Sequence, residues 1–440
     1  MKQILVVFLL LLSFSDAKYL LKPSYREKTK IDKLPKNSVA DMKEISQDLS
    51  FYAAQVNTFD SKIQKELDIE YNRQYFNPWT QTSAQIDADK LGWEVRFVQK
   101  EQIFTIFGKL IKQSEIQKWI ENENMDAFDT QRLRAITLRR IDLKAFPTST
   151  QYFKNPKRPG EGFPFDYNQN SAYPINMPLF VSHLSKDGKW AFVKGAYAFG
   201  WVQTKDIAFV DDAFIKEFKN GNYAMTIKDN LRLFDDNKDI SLIKLGTLFP
   251  YKQKGYMFAT KDENGMAKIT YFKATTKGII SHKPLQFNAE NVAMIAAEFQ
   301  GEPYGWGECY ETRDCSATTR DFFAIFGIFL ERNSAEQSKD GRYSIDISKI
   351  DDIRAKKDAI LKYAKPFRSM LFVPGHIVIY IGRYKDEPVI LHTYWGVRQE
   401  DWSKLITART IITTTQPGKE LESTREESAL IKTLKAIVIF

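Results

Sequence analysis

PYGWGECYETRDCSATTR, residues Pro303 to Arg320, is the stretch from which the rest of the 440-residue chain can be read. Cys315 stands between Asp314 and Ser316, entered through a loop punctuated by Gly305 and Gly307 and followed by the apolar run DFFAIFGIFLE. This is the pattern of a thiol at a helix N-terminus, where the positive end of the helix dipole favours a thiolate. A free cysteine, with a pKa of about 8.5, is mostly protonated at neutral pH and needs a base to act as a nucleophile. The chain holds four histidines. His376 follows Pro374-Gly375 at the head of the run HIVIYIG, and His392 lies in the next run, PVILHTYWG. If these runs pair as a hairpin, His392 stands beside His376 and fixes its tautomer, the role Asp or Asn plays elsewhere in Cys/His chemistry. His183, inside a strand pattern, and His282, in a linker, read as structural. Cys309 shares the loop-to-helix junction with Cys315, and no structural disulfide is expected between them. There is no HExxH, CxxC, His-rich tract or Walker loop, so neither a metal nor a cofactor is expected.

Upstream of this stretch, Asn288 can cap an apolar helix, NVAMIAAEFQG, that leads into it. Residues 18–143 read as mostly helical: apolar positions from Val39 to Phe59 recur at spacings of three and four, with Asn37 or Ser38 as a cap. Further helices are expected over Ile111 to Ile120 and Thr130 to Ile141. From Phe146 the pattern changes to Pro, Gly and Asn, then to short alternating runs such as LFVSHL, KWAFVKG and FGWVQTKDIAFV. Two successive small all-β barrels follow from this, over 144–215 and 216–285, ahead of an α+β domain over 286–440. The Lys-rich helical patch from Lys356 to Lys365 reads as a solvated face.

Residues 1–17 form an expected signal peptide: Lys2, an apolar run from Ile4 to Phe14, and Ser15-Asp16-Ala17. The run is shorter than the ~20 residues a bilayer span needs. The mature chain is therefore expected to be periplasmic or secreted, without an integral membrane segment, and monomeric. A formal charge of +9 suits an anionic wall or membrane surface, but the lysines form no dense block of the nucleic-acid-binding kind.

PYGWGECYETRDCSATTRDFFAIFGIFLERNSAEQ, PGHIVIYIG and LHTYWGVR together resemble the NlpC/P60 cysteine peptidases of bacterial cell-wall turnover. The preceding units resemble the bacterial SH3 domains and helical N-terminal domain of one multidomain branch. The resemblance implies a papain-like catalytic domain behind two small SH3-like barrels, with Cys315, His376 and His392 as the catalytic set and Tyr304 helping the oxyanion. It also implies that Asp314 and Ser316 bind the free amine of an N-terminal L-Ala, that Ser334 lines the same pocket, and that Asp166 and Tyr167 wall it from the first barrel. The implied reaction is cleavage of the γ-D-glutamyl to diamino acid bond in peptidoglycan stem peptides. An amidase or transpeptidase on the same scaffold, or a non-catalytic wall-binding protein, are the alternatives. Glu308 stands where the family commonly has a second Gly, with Cys309 after it, which puts substrate preference in question.

Overall fold

The computed structural model describes residues 18–440; the expected signal peptide, residues 1–17, lies outside the described residues. The C-terminal part is built on a six-stranded antiparallel sheet. Its order is Tyr343–Asp346, Ala436–Ile439, Ser369–Val373, His376–Tyr384, Glu387–Arg398, Lys404–Thr414. The helix Cys315–Ile325 packs on the neighbouring strands that begin with His376 and Glu387. Its face is Phe322, Phe323 and Ile325, buried with Ile377, Ile379, Leu391 and Ile412. Each such side chain contributes about 1.5–3 kcal/mol by leaving water, which holds the helix against the sheet that carries His376.

Two further sheets precede it. One has seven strands and contains Pro178–Leu184, Trp190–Lys194 and Phe199–Gln203. The other has eight, drawn from Tyr223–Thr226 through Ile280–His282, and it incorporates Tyr19–Pro23 at the front of the chain. Tyr19–Pro23 pairs antiparallel with Leu231–Asp235 and parallel with Ala267–Ala274.

The helical region differs from its expected form in three places. The Val39 to Phe59 stripe breaks into Asp41–Glu44 and Leu49–Ala53, the second capped by Asp48, which accepts from Ser50 N at 2.9 Å. Neither Asn37 nor Ser38 caps the first: its N-cap is Ala40. Thr130 to Ile141 is not helical, because Leu133–Thr137 pairs with Pro178–Leu184 and Ile207–Phe209 in the seven-stranded sheet. The helix Ser61–Phe76 ties the parts together. Tyr75 Oη donates to Asn176 O at 2.9 Å in the first barrel, and Gln64 Nε2 donates to Leu285 O and Phe326 O at 2.6 and 3.1 Å. Its Asp68 pairs with Lys283.

The Lys-rich helix, Ile353–Tyr363, is only partly solvated, since buried Lys356 donates its Nζ to Lys432 O and Leu434 O at 3.1 and 3.3 Å.

Between the helical region and the first barrel, Glu94 and Glu123 are both buried. Burial pushes Glu94 up to about 7, and burial with the Glu94 charge pushes Glu123 up to about 9. The folded chain therefore holds protons that the unfolded chain releases at lower pH. Stability is highest below the ordinary glutamate range and declines as pH rises through 7 to 9. Thermal unfolding should show a falling Tm between pH 6 and 9, and Glu123→Gln should flatten that fall; an unchanged slope would contradict the assignment.

Candidate active site

Cys315 is the first residue of its helix, and Asp314 is the N-cap, its Oδ1 accepting from Ala317 N at 2.9 Å. The thiol opens onto a cleft of about 960 Å³ walled by the helical region, the first barrel and the C-terminal domain, among them Trp93, Tyr167, Lys194, Tyr304, Cys315 and Ser334. Burial and the neighbouring Asp314 push the thiol up to about 12, against backbone N–H groups of Ile377 and Ser316 that stabilise the anion. Because Ile377 follows His376, the sulfur lies beside the head of the histidine strand.

His376 and His392 stand side by side on antiparallel strands, with Nε2 of the first 3.2 Å from Nδ1 of the second. His392 Nε2 lies 3.1 Å from Thr413 Oγ1, and that hydroxyl donates to Thr414 O at 2.7 Å. This chain fixes both tautomers. With its proton committed to a carbonyl, Thr413 can only accept from His392 Nε2–H. His392 Nδ1 is then bare and accepts from His376 Nε2–H, which leaves His376 Nδ1 bare. Burial and nearby Lys404 bring His376 down to about 4, and burial with His376 beside it holds His392 well below the usual histidine range. Both rings are neutral at pH 7. The carboxylate of Asp41, in the first short helix, accepts from Thr414 N and Oγ1 at 2.8 Å each, so the N-terminal region anchors the strand that carries the relay.

Tyr304 is buried at the cleft, packed against Phe165 and Trp395. Burial and the adjacent Cys315 hold its phenol well above the usual range, so it remains a hydrogen-bond donor. Ser334 begins a short helix, Ser334–Gln337, tied to the Cys315 helix by Gln337, whose Nε2 donates to Ser316 O at 2.8 Å.

Asp314 does not present an uncompensated carboxylate to the cleft. Its two oxygens accept from Ala317 N, Ser316 Oγ, Gly307 N and both terminal nitrogens of Arg332, the last at 3.2 and 2.7 Å. These contacts balance its charge at the cleft wall, which Asp314 still lines. Arg332 Nη1 also donates to Ser316 Oγ at 2.9 Å. Asp166 turns away from the cleft: it is buried and accepts from Tyr152 N and Asn168 N at 3.1 and 2.9 Å. Tyr167, the next residue, does face the cleft, stacked on Phe97 at 4.7 Å.

Glu308 lies outside the cleft as well. Its backbone takes φ +65°, a conformation glycine adopts freely and other residues adopt at a cost. The side chain offsets that cost by pairing with Arg320 at 2.8 Å and Arg332 at 3.3 Å and accepting from Ser171 Oγ at 2.9 Å. Neighbouring Gly307 is pressed against the first barrel, where a Cβ would lie 2.3 Å from Gln169 O. Cys309 is buried and unpaired, its thiol pushed well up by burial, and Cys315 is also free. His183 is buried with Nε2 2.9 Å from Glu123 O, and His282 stacks on Tyr251, so neither reaches the site.

A cysteine at a helix start, set against a strand-borne imidazole relay on an antiparallel sheet, defines a papain-like cysteine hydrolase. Residues 301–413 match the NlpC/P60 family, residues 151–203 an SH3 domain of SH3b1 type, and residues 4–128 the N-terminal NLPC_P60 stabilising domain. Residues 301–413 are therefore an NlpC/P60 domain, that of a family of cysteine peptidases and peptidoglycan hydrolases, and they follow a stabilising domain of the same name. An NlpC/P60 endopeptidase from Photobacterium damselae subsp. piscicida has the same fold, with a TM-score of 0.80 at 21% identity over 92% of this chain and 99% of that one. An NlpC/P60 family protein from Bacillus cereus aligns at 14% identity over 69% of this chain and 98% of that one, with a TM-score of 0.44. No curated protein matches the chain.

Glu308→Gly tests the loop. It relieves a strain of about 1–2 kcal/mol but breaks a buried ion pair, a loss of about 3–5 kcal/mol. The expected balance is a destabilisation of about 2 kcal/mol in denaturant unfolding, and a gain in stability would contradict this reading of Glu308.

Proposed function

We propose that this protein is an exported cell-wall endopeptidase that cleaves the γ-D-glutamyl to diamino acid bond of peptidoglycan stem peptides with a free N-terminal L-Ala. The observation that supports the chemistry is the hydrogen-bonded line from His376 through His392 to Thr413, starting at the head of the strand whose Ile377 N–H reaches the Cys315 thiol. Export rests on the pattern of residues 1–17; among the described residues no helix is long and apolar enough to cross a membrane.

In this mechanism the pair rests as neutral thiol and neutral imidazole. The Cys315 proton passes to His376 Nδ1 as Sγ attacks the γ-carbonyl carbon. Negative charge develops on the carbonyl oxygen, where the Cys315 backbone N–H and the Tyr304 hydroxyl can donate. The Nδ1 proton then goes to the leaving amine, the C–N bond breaks, and a thioester remains. His376 next takes a proton from water as its oxygen attacks the thioester carbon; the C–S bond breaks, the Nδ1 proton returns to Sγ, and the glutamyl γ-carboxyl group leaves and loses its proton to solvent. Throughout, His376 Nε2–H stays on His392, so His392 and Thr413 act as positioning residues. Ser316 and Asp314, bound by Arg332, form the polar floor beneath the substrate, with Tyr167 and Ser334 on its walls.

Mass analysis of muropeptide digests should show release of the L-Ala-D-Glu dipeptide, lost by at least ~10³-fold in Cys315→Ala. Products cut at another bond would contradict the assigned specificity. Thr413→Val should lower kcat at least ~10-fold with KM little changed, while Thr413→Ser retains activity, since only the hydroxyl fixes the tautomers. Equal rates for the two variants would remove Thr413 from the relay. Because His376 gains its proton only near pH 4, kcat at saturating substrate should stay level from pH 7 down to 5 and fall near 4; an acid limb of kcat near 6.5 would contradict a buried neutral base.

A further inference from the structure

The hydrogen-bonded line behind the base has a counterpart behind the backbone oxyanion donor. Thr318, one turn into the Cys315 helix, has its Oγ1 3.0 Å from Asp314 O and 2.6 Å from Thr393 Oγ1. Thr393 Oγ1 in turn lies 2.7 Å from Thr410 Oγ1, and all three threonines are buried. Thr393 follows His392 on its strand and pairs in register with Thr410, three residues before Thr413 on the next strand. The same two strands therefore carry both lines, one ending on the base and the other on the start of the nucleophile's helix.

Proton positions along the second line are fixed by its end. A carbonyl only accepts, so the Thr318 hydroxyl proton points at Asp314 O. The Thr318 oxygen then accepts from Thr393, and the Thr393 oxygen accepts from Thr410. Asp314 O also accepts from Thr318 N at 3.1 Å, so both of its lone pairs are used. A hydroxyl that accepts a hydrogen bond becomes a stronger donor, by about 10–30% for each bond added to the chain.

The carbonyl at the end of the line belongs to the peptide unit whose nitrogen is Cys315 N. Amide resonance couples the two ends, so drawing electron density onto the oxygen makes the N–H a better donor. The Cys315 N–H opens the helix and meets no acceptor among the described residues. It is the backbone donor assigned above to the developing oxyanion. We propose that Thr393 and Thr410 are positioning residues for that donor: through Thr318 they hold the Asp314–Cys315 peptide plane and polarise its N–H. This rests on the endopeptidase reading above and places the oxyanion donor, as well as the base, under the control of the strand that carries His392.

The test uses the full mature chain and reads the amide as well as the reaction. The sequence has two cysteines, so nitrogen-15 cysteine labelling gives two backbone amide signals, and the one lost in Cys315→Ala belongs to Cys315. Thr393→Val and Thr410→Val should each shift that signal, and Thr393→Ser should restore it. With muropeptides, Thr393→Val should lower kcat ~3- to 10-fold with KM little changed, short of the ~10²–10³-fold lost with a whole oxyanion donor, and Thr393→Ser should recover the rate. Alkylation of Cys315 by iodoacetamide, followed by mass spectrometry, builds no oxyanion, so its rate should be equal in all of these variants. A helix merely displaced from its base would slow alkylation and hydrolysis together. A Cys315 amide signal unmoved by both valine replacements, or alkylation falling in step with kcat, overturns the proposal. Failure of the wild-type protein to cleave muropeptides overturns the endopeptidase reading instead, and the amide signal still decides the role of the threonines.

Discussion

The buried guanidinium of Arg332 is the constraint on which the site depends. It donates to Asp314 at 2.7 Å, Ser316 at 2.9 Å and, across the domain boundary, Ser171 at 2.7 Å, and it pairs with Glu308 at 3.3 Å. A guanidinium leaves water at a cost recovered only when its fixed fork of donors is matched, so this arrangement specifies geometry more than it adds stability. The consequence is chemical. The start of the Cys315 helix is tied to the first barrel, and the carboxylate nearest the nucleophile is neutralised.

The relay behind the thiol has a similarly distributed support. His376 is oriented by His392, His392 by Thr413, and the strand carrying Thr413 is fastened to the N-terminal region through Asp41 and Thr414. The helix Ser61–Phe76 meanwhile braces the first barrel against Phe326, one residue beyond the Cys315 helix. The N-terminal region thus positions the active site without supplying a residue to the reaction.

Local pattern made part of this legible in the sequence. Loop glycines, a capping Asp and an apolar run place Cys315 at a helix start, and two adjacent apolar runs carry the histidines. What sequence pattern does not report is the partner across space. The strand Tyr19–Pro23 is completed by residues far along the chain, and Leu133–Thr137 reads as part of a helix until its sheet neighbours are known. Glu308 looks like an intruder in a glycine position, yet its role depends on Arg320, Arg332 and Ser171. Thr413 sits unmarked in a run of three threonines, and Asp314 resembles a free carboxylate only while Arg332 is unplaced.

The central claim is that a fixed pair of tautomers presents a bare Nδ1 to Cys315. With four histidines in the chain, nitrogen-15 NMR of histidine-labelled protein at pH 7, assigned by single His→Gln replacements, reads it directly. The account predicts that His376 and His392 are both neutral and both protonated on Nε2. A proton on Nδ1 of either ring, or an imidazolium at His376 in the free protein, would contradict it.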